Sequence, residues 1–232
     1  MPENRMSYLA VALDTSDWRE FEIWCDRFGG RAGVLKVGLE AFVRWGPKAV
    51  EQARSTGARV FLDLKLHDIP NTVAGAVRAA ADLGASYLTV HASGGRRMLD
   101  AAARAAGDNL GVLAVTLLTH LDESDIEDLD LSGEPRLRVE RWARLAADSG
   151  CAGAVCSPLE VALLRSALPA CFEIVTPGIR LGGAVGGDDQ RRVATPERAL
   201  ADGADILVVG RPLTRATDPE AVLDSLAAAA TR

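Results

Sequence analysis

Short apolar runs alternate along the chain with stretches in which apolar residues recur every three to four positions, the two signatures of strand and amphipathic helix. Tyr8–Leu13, Val34–Val37, Ala58–Lys65, Ser86–His91, Leu110–Leu118, Ala152–Cys156, Phe172–Thr176 and Ala204–Val209 read as strands. Helical spacing covers Asp17–Phe28, Ala41–Ser55 (one helix, or two meeting at Gly46-Pro47), Thr72–Leu83, Arg96–Ala106 and Arg136–Ser149. It returns in Leu159–Ala167, Pro196–Ala201 and Pro212–Ala230. Asp17 or Ser16 is placed to cap the first helix. Gly-Ala pairs stand before several strands, as at Gly57-Ala58, Gly84-Ala85 and Gly203-Ala204, and fit helix-to-strand turns. Thr119–Pro135 is polar and acidic and reads as a loop with room for one helical turn; Pro177–Val193 is a long glycine-rich loop.

Most of the strands are nearly continuous apolar runs, as expected of parallel strands covered by helices on one side and a core on the other. No linker or low-complexity stretch divides the chain. Eight strands alternating with helices in 232 residues predict an α/β protein, a (β/α)8 (TIM) barrel forming one domain over residues 1–232. A doubly wound open sheet is the alternative.

One run departs from the apolar pattern. In Val60–Thr72, Val60, Leu62, Leu64 and Leu66 alternate with Phe61, Asp63, Lys65 and His67, and Asp68 follows before Pro70 stops the ladder. A strand so patterned has one apolar face, while its other face ends in a carboxylate, an ammonium and an imidazole. Charges drawn out of water need partners, so one Asp/Lys pair reads equally well as a structural ion pair. Lys36, the single charge of its own strand, supplies a second cation and turns the reading towards chemistry.

In a barrel of this kind the active site lies at the carboxyl ends of the strands. Asp14, Lys36, Asp63 with Lys65 and Asp68, His91, Thr119, Pro177–Arg180 and Gly210-Arg211 all fall at strand ends or just beyond. Scattered ion pairs would not gather on one rim. Gly210-Arg211-Pro212 opens the last helix with a residue that lets a ligand approach the backbone, a guanidinium and a proline suited to a first helical turn. That combination, in the loops after strands seven and eight, fits a phosphate, with Arg180 and Gln190 placed to close over it; a plain turn with a solvated arginine is the other reading. Gly178–Gly187 lacks the Gly-Lys-Ser/Thr of a P-loop and reads as a lid.

Apolar residues make up 48% of the chain and charged residues 25%, which is ordinary for a soluble globular protein. The net charge of -6 argues against nucleic acid or an acidic membrane surface as partner, and leaves a small anionic substrate open. The polar start Met1–Ser7 predicts no signal peptide, and the apolar runs are too short to cross a bilayer. Cys25, Cys151, Cys156 and Cys171 lack metal-site spacing and read as reduced core thiols of a cytoplasmic protein. The acidic stretch Asp122–Asp130 reads as solvated surface, and His91 as a hydrogen-bonded barrel residue in preference to a base.

Asp63-Leu-Lys65-Leu-His-Asp68-Ile69-Pro70-Asn71-Thr72 resembles the signature of the orotidine 5'-phosphate decarboxylases. Leu-Asp14, Lys36-Val-Gly, Thr116-Leu-Leu-Thr119, Thr176-Pro-Gly-Ile-Arg180, Gly187-Asp-Asp-Gln190-Arg-Arg and Val-Gly210-Arg211-Pro match that family's motifs in order along the chain. The resemblance implies a (β/α)8 barrel that dimerises with active sites at the interface. It implies decarboxylation of orotidine 5'-phosphate to UMP, in pyrimidine biosynthesis, with no metal and no organic cofactor. It gives Lys65 as the proton donor to C6 of the pyrimidine, Asp63 beside the scissile carboxylate, and Lys36 completing the charge array and touching the ribose. Asp68, Ile69 and Thr72 would reach into the partner subunit's site. Asp14 would hold the ribose and Thr119 meet the pyrimidine. Arg180, Gln190, Gly210 and Arg211 would hold the phosphate or its lid. Metal-dependent sugar-phosphate decarboxylases or aldolases on the same barrel share Asp-x-Lys-x-x-Asp but use an acid where Lys36 stands. A non-catalytic phosphate-binding barrel is the reading from another class.

Overall fold

A computed structural model describes residues 5–131, 133–181 and 192–230. Eight parallel strands close on themselves in sequence order. They are β1 (Met6–Ala12), β2 (Ala32–Gly38), β3 (Arg59–Leu66), β4 (Tyr87–His91), β5 (Gly111–Val115), β6 (Gly153–Val155), β7 (Glu173–Thr176) and β8 (Ile206–Val209). The helices are α1 (Trp18–Gly29), α2 (Leu39–Trp45), α3 (Pro47–Ser55), α4 (Pro70–Asp82), α5 (Gly95–Ala106) and α6 (Glu123–Asp128). They continue with α7 (Pro135–Asp148), α8 (Val161–Ala167), α9 (Pro196–Ala201), α10 (Arg211–Thr214) and α11 (Pro219–Ala229). The (β/α)8 barrel replaces the open-sheet alternative because β1 pairs with β8 as well as with β2.

Local sequence explains the elements. The Asp17 carboxylate caps α1 by accepting from the N–H groups of Arg19 and Glu20. Phe21, Trp24, Cys25 and Phe28 then recur at helical spacing and are buried against the barrel. Each fully buried aromatic of that face is worth about 1.5–3 kcal/mol. Gly46, at φ 54, and Pro47 divide α2 from α3. The expected last helix, Pro212–Ala230, is instead two. Pro219 has no N–H to donate and turns Asp218 out of helical geometry, and the Asp218 side chain caps α11 from Ala221. The acidic loop holds the short α6, closed by a capping box between Asp122 and Asp125.

The core has two layers. Between barrel and helices lies the larger one, which includes Leu9, Val11, Leu35, Val37, Val60 and Leu62. Inside the barrel lies a smaller one formed by Ala10, Val34, Phe61, Tyr87, Leu113, Val175 and Ile206. The two sets alternate residue by residue, so the next inward positions towards the carboxyl ends are Ala12, Lys36, Asp63, Thr89, Val115 and Val208. Cys25, Cys151 and Cys156 are buried free thiols, as expected; Cys171 is exposed, because it lies in the turn before β7 and outside the packed face of α8. Among the described residues no helix is long and apolar enough to cross a membrane.

Candidate active site

A cavity of about 580 Å³ opens at the carboxyl ends of the strands. Asp14, Lys36, Asp63, Lys65, Thr119, Arg180, Gly210 and Arg211 all line it. Asp68, Ile69 and Thr72 do not. Pro70 starts α4, the chain leaves the barrel there, and these three side chains are exposed on the rim. Gln190 and Gly187 lie outside the described residues, as does most of the expected lid.

Four charged groups alternate along one side of the cavity. Lys65 Nζ donates to Asp63 Oδ1 at 2.8 Å, Lys36 Nζ stands 3.4 Å from Asp63 Oδ2, and the same ammonium stands 3.4 Å from Asp14 Oδ2. The order is Asp14, Lys36, Asp63, Lys65, and the charges cancel in pairs. Strand register places them. Lys36 lies opposite Ala12 on β1 and Phe61 on β3, and Gly38 lies opposite Asp63. A Cβ at position 38 would come within 2.2 Å of Asp14 Oδ1 and 3.1 Å of Lys36 Nζ, so only glycine leaves room for the acid to approach the ammonium. Asp68 was expected to share this array. Within one chain it stands apart: its carboxylate accepts from the N–H of Ile69 at 2.6 Å, and among the described residues it makes no ion pair. Within one chain the fourth member is Asp14.

The environment sets the charge states. Burial alone would lower the Lys36 pKa, but the Asp63 and Asp14 carboxylates outweigh it and hold the ammonium above its ordinary value. Burial alone would raise Asp63. Lys36 and Lys65, with hydrogen bonds from Lys65 and Thr89, bring it down to about 2. Both groups are therefore ionised through the neutral range although their side chains are only 8% and 13% exposed. At the rim, the His91 and His67 rings lie 5.4 Å apart, and burial followed by His67 and Lys65 pushes the His91 pKa down.

The backbone of β3 is irregular at this place. Between the pairs Leu62–Leu88 and Leu66–Val90, β3 advances four residues (62 to 66) while β4 advances two (88 to 90). The surplus is a bulge containing Asp63, Leu64 and Lys65. Lys65 takes φ 50, a left-handed conformation that costs a non-glycine residue about 1–3 kcal/mol. Its N–H bonds to Thr89 Oγ1 at 2.9 Å, outside the regular ladder. The sequence reading passed over Thr89. Its signal was the alternation of β4, where Tyr87, Thr89 and His91 share the inward face and Thr89 is fully buried. Arg192 closes the Gly187-Asp-Asp-Gln190-Arg-Arg motif, where the sequence reading assigned it no role of its own. It pairs with Glu160 at 2.6 Å and donates to the Leu118 carbonyl at 3.1 Å, tying the loop after β7 to the loop after β5.

Arg180, after β7, and Gly210 with Arg211, after β8, line the same cavity. The helix after Gly210 is only α10, four residues long, so its dipole is slight and the guanidinium groups supply most of the positive field there. Among the described residues no group of three or more His, Cys, Asp or Glu has metal-binding geometry. A family model for the orotidine 5'-phosphate decarboxylase / HUMPS family matches residues 7–226. The chain belongs to that family. An orotidine 5'-phosphate decarboxylase of Anaeromyxobacter sp. (strain K) is 50% identical over 220 residues, covering 95% of this chain and 96% of the relative. One from Nitrosospira multiformis is 51% identical over 219 residues, covering 94% and 91%. Among solved structures, the orotidine 5'-phosphate decarboxylase from Lactobacillus acidophilus is 34% identical with a TM-score of 0.82, covering 95% of this chain and 97% of that one. The family match therefore spans every strand that lines the cavity.

Proposed function

We propose that the chain converts orotidine 5'-phosphate to UMP and CO2 in pyrimidine biosynthesis, with Lys65 as proton donor and with no metal or organic cofactor. The family makes the chain a carboxy-lyase. The observation that carries the finer reading is the alternating Asp14–Lys36–Asp63–Lys65 array beside a cavity that also holds two arginines.

The chemistry follows from that array. When the bond from C6 to the carboxylate breaks, its electron pair stays on C6 and CO2 departs. The carbanion has no easy delocalisation, so a fixed cation beside it lowers the barrier. Lys65 supplies the cation and then transfers a proton from Nζ to C6, which completes UMP. Asp63 is ionised and lies next to Lys65; beside the substrate carboxylate it would add a repulsion that vanishes as neutral CO2 forms. Arg180, Gly210 and Arg211 bind the phosphate, whose binding energy is spent at the distant reacting carbon. Asp14 and Lys36 hold the ribose, and Thr119 meets the base. Gln190 would join the phosphate.

Asp68, Ile69 and Thr72 act in the partner subunit's site of a homodimer. Supporting this, they stand exposed at the rim, and Ile69 presents an apolar side chain that is 67% accessible. The buried free thiols fit a cytoplasmic protein. The rival metal-dependent chemistry meets an obstacle in Lys36, an ammonium between the two carboxylates that a divalent cation would need. The test is ultraviolet loss of the orotidine chromophore with EDTA present. Undiminished turnover is expected. Activity abolished by EDTA and restored by Mg²⁺ would favour the metal-dependent relatives, and binding of orotidine 5'-phosphate with no turnover would favour a non-catalytic barrel.

A further inference from the structure

We infer that Thr89 is a positioning residue for the decarboxylation: its hydroxyl holds Lys65 and Asp63 in their reactive arrangement across the β3 bulge. The inference rests on the role of Lys65 proposed above. Thr89 is the one residue of β4 that faces the bulge, between Leu88 and Val90, which resume the register with Leu62 and Leu66. Its Oγ1 accepts from the Lys65 N–H at 2.9 Å and donates to Asp63 Oδ1 at 2.9 Å. A single hydroxyl thus satisfies the amide that the bulge removed from the ladder and orients the carboxylate to which Lys65 Nζ also binds.

Thr89 is fully buried, so a side chain of the same shape without the hydroxyl would leave no room for a water in its place. Without the hydroxyl, the Lys65 amide has no partner to keep it in the left-handed conformation, and the ammonium at the end of that residue loses its fixed origin. The acid also loses one of the hydrogen bonds that favour its ionised form. The charged and titratable groups around Asp63 are Lys36 from β2, Lys65 from β3, Asp14 beyond Lys36, and His91 farther along β4. Among the described side chains bonded to Asp63, Thr89 alone is uncharged.

The substitutions Thr89→Val and Thr89→Ser separate hydroxyl from shape. Thr89→Val should lower kcat by about 10- to 100-fold, a misplacement effect, while KM moves by less than about threefold. Its acid-side loss of kcat should begin about one pH unit higher than in the unsubstituted enzyme. Thr89→Ser keeps the hydroxyl and should restore kcat to within about threefold, with the acid limb back in place. Should Thr89→Val fail to fold, Thr89→Ala against Thr89→Ser makes the same comparison on a shortened side chain. A valine variant with unchanged kcat and acid limb, or a serine variant as impaired as its hydroxyl-free counterpart, would overturn the inference. Lys65→Ala run alongside keeps the two readings apart. If that variant turns over normally, the role of Lys65 falls; if it is inactive while Thr89→Val is normal, only the role of Thr89 falls.

Discussion

The two ends of the barrel carry polar networks on the same strands and use them differently. At the amino end, Arg59 donates to the Tyr87 hydroxyl at 2.7 Å, and that hydroxyl donates to Glu173 at 2.9 Å. Arg59 also reaches the Ser7 carbonyl at 3.0 Å. Donors and acceptors match, and the strands pair in register. At the carboxyl end, Lys36 stands 3.4 Å from each of two carboxylates, β3 bulges, and a lysine occupies a left-handed backbone beside an open cavity. The first network closes the floor of the barrel and satisfies its buried groups. The second holds paired charges beside open space, where a ligand can meet them. Polarity inside a barrel is therefore not the mark of a site; polarity joined to irregular backbone and empty space is.

Substitutions at the two ends should separate those roles. Lys65→Ala should lower kcat by roughly five orders of magnitude, combining the loss of a general acid with the loss of an electrostatic stabiliser. Its melting temperature should change by no more than about 2 °C, since alanine keeps the Cβ and so leaves the backbone strain as it is, and Asp63 keeps its pairing with Lys36. A steady-state assay showing less than a tenfold loss would erase the contrast between the ends.

The acid stability of the mouth gives a smaller effect. Asp63 has its pKa lowered to about 2 from an unfolded value of 3.8, so its contribution is present above pH 4 and is lost as pH falls through 2. That contribution is about 2 kcal/mol. The melting temperatures of the unsubstituted chain and Asp63→Asn should therefore differ at pH 6 and converge towards pH 2. A gap independent of pH would mean that the lysines do not hold the acid ionised.

Tyr87→Phe should have the smallest effect on turnover. It leaves Arg59 and Glu173 short of a partner, which costs about 1–3 kcal/mol and lowers the melting temperature by several degrees, while kcat stays within about twofold. A large loss of activity would show that floor and mouth are coupled through β3 and β4.

Much of this was legible in the residues because inward positions of a strand recur every second residue. Alternation set Asp63 and Lys65 apart from the apolar face of their strand, and the strand-end positions of Asp14, Lys36, Asp63, Arg180 and Arg211 in a (β/α)8 topology placed them on one rim. The break before α11 was written in Asp218-Pro219 and was masked by the apolar spacing that continues on either side of it. Other features depend on partners distant in the chain. The amide freed by the bulge at Lys65 meets a hydroxyl on β4, and the contact of Asp14 with Lys36 needs the absence of a side chain at Gly38. Within one chain Asp68 stands apart from Asp63 and Lys65 because Pro70 starts α4 two residues after it.

The twist of the chain at residue 65 sets endurance against output. A left-handed position invites glycine, which would sit there at ease. Screening variants for heat resistance alone would drift this position towards the smallest amino acid and leave a sturdier barrel that, on the role proposed for Lys65, makes no product. Only a screen that rewards product formation would retain a long cationic side chain on such an awkward stem.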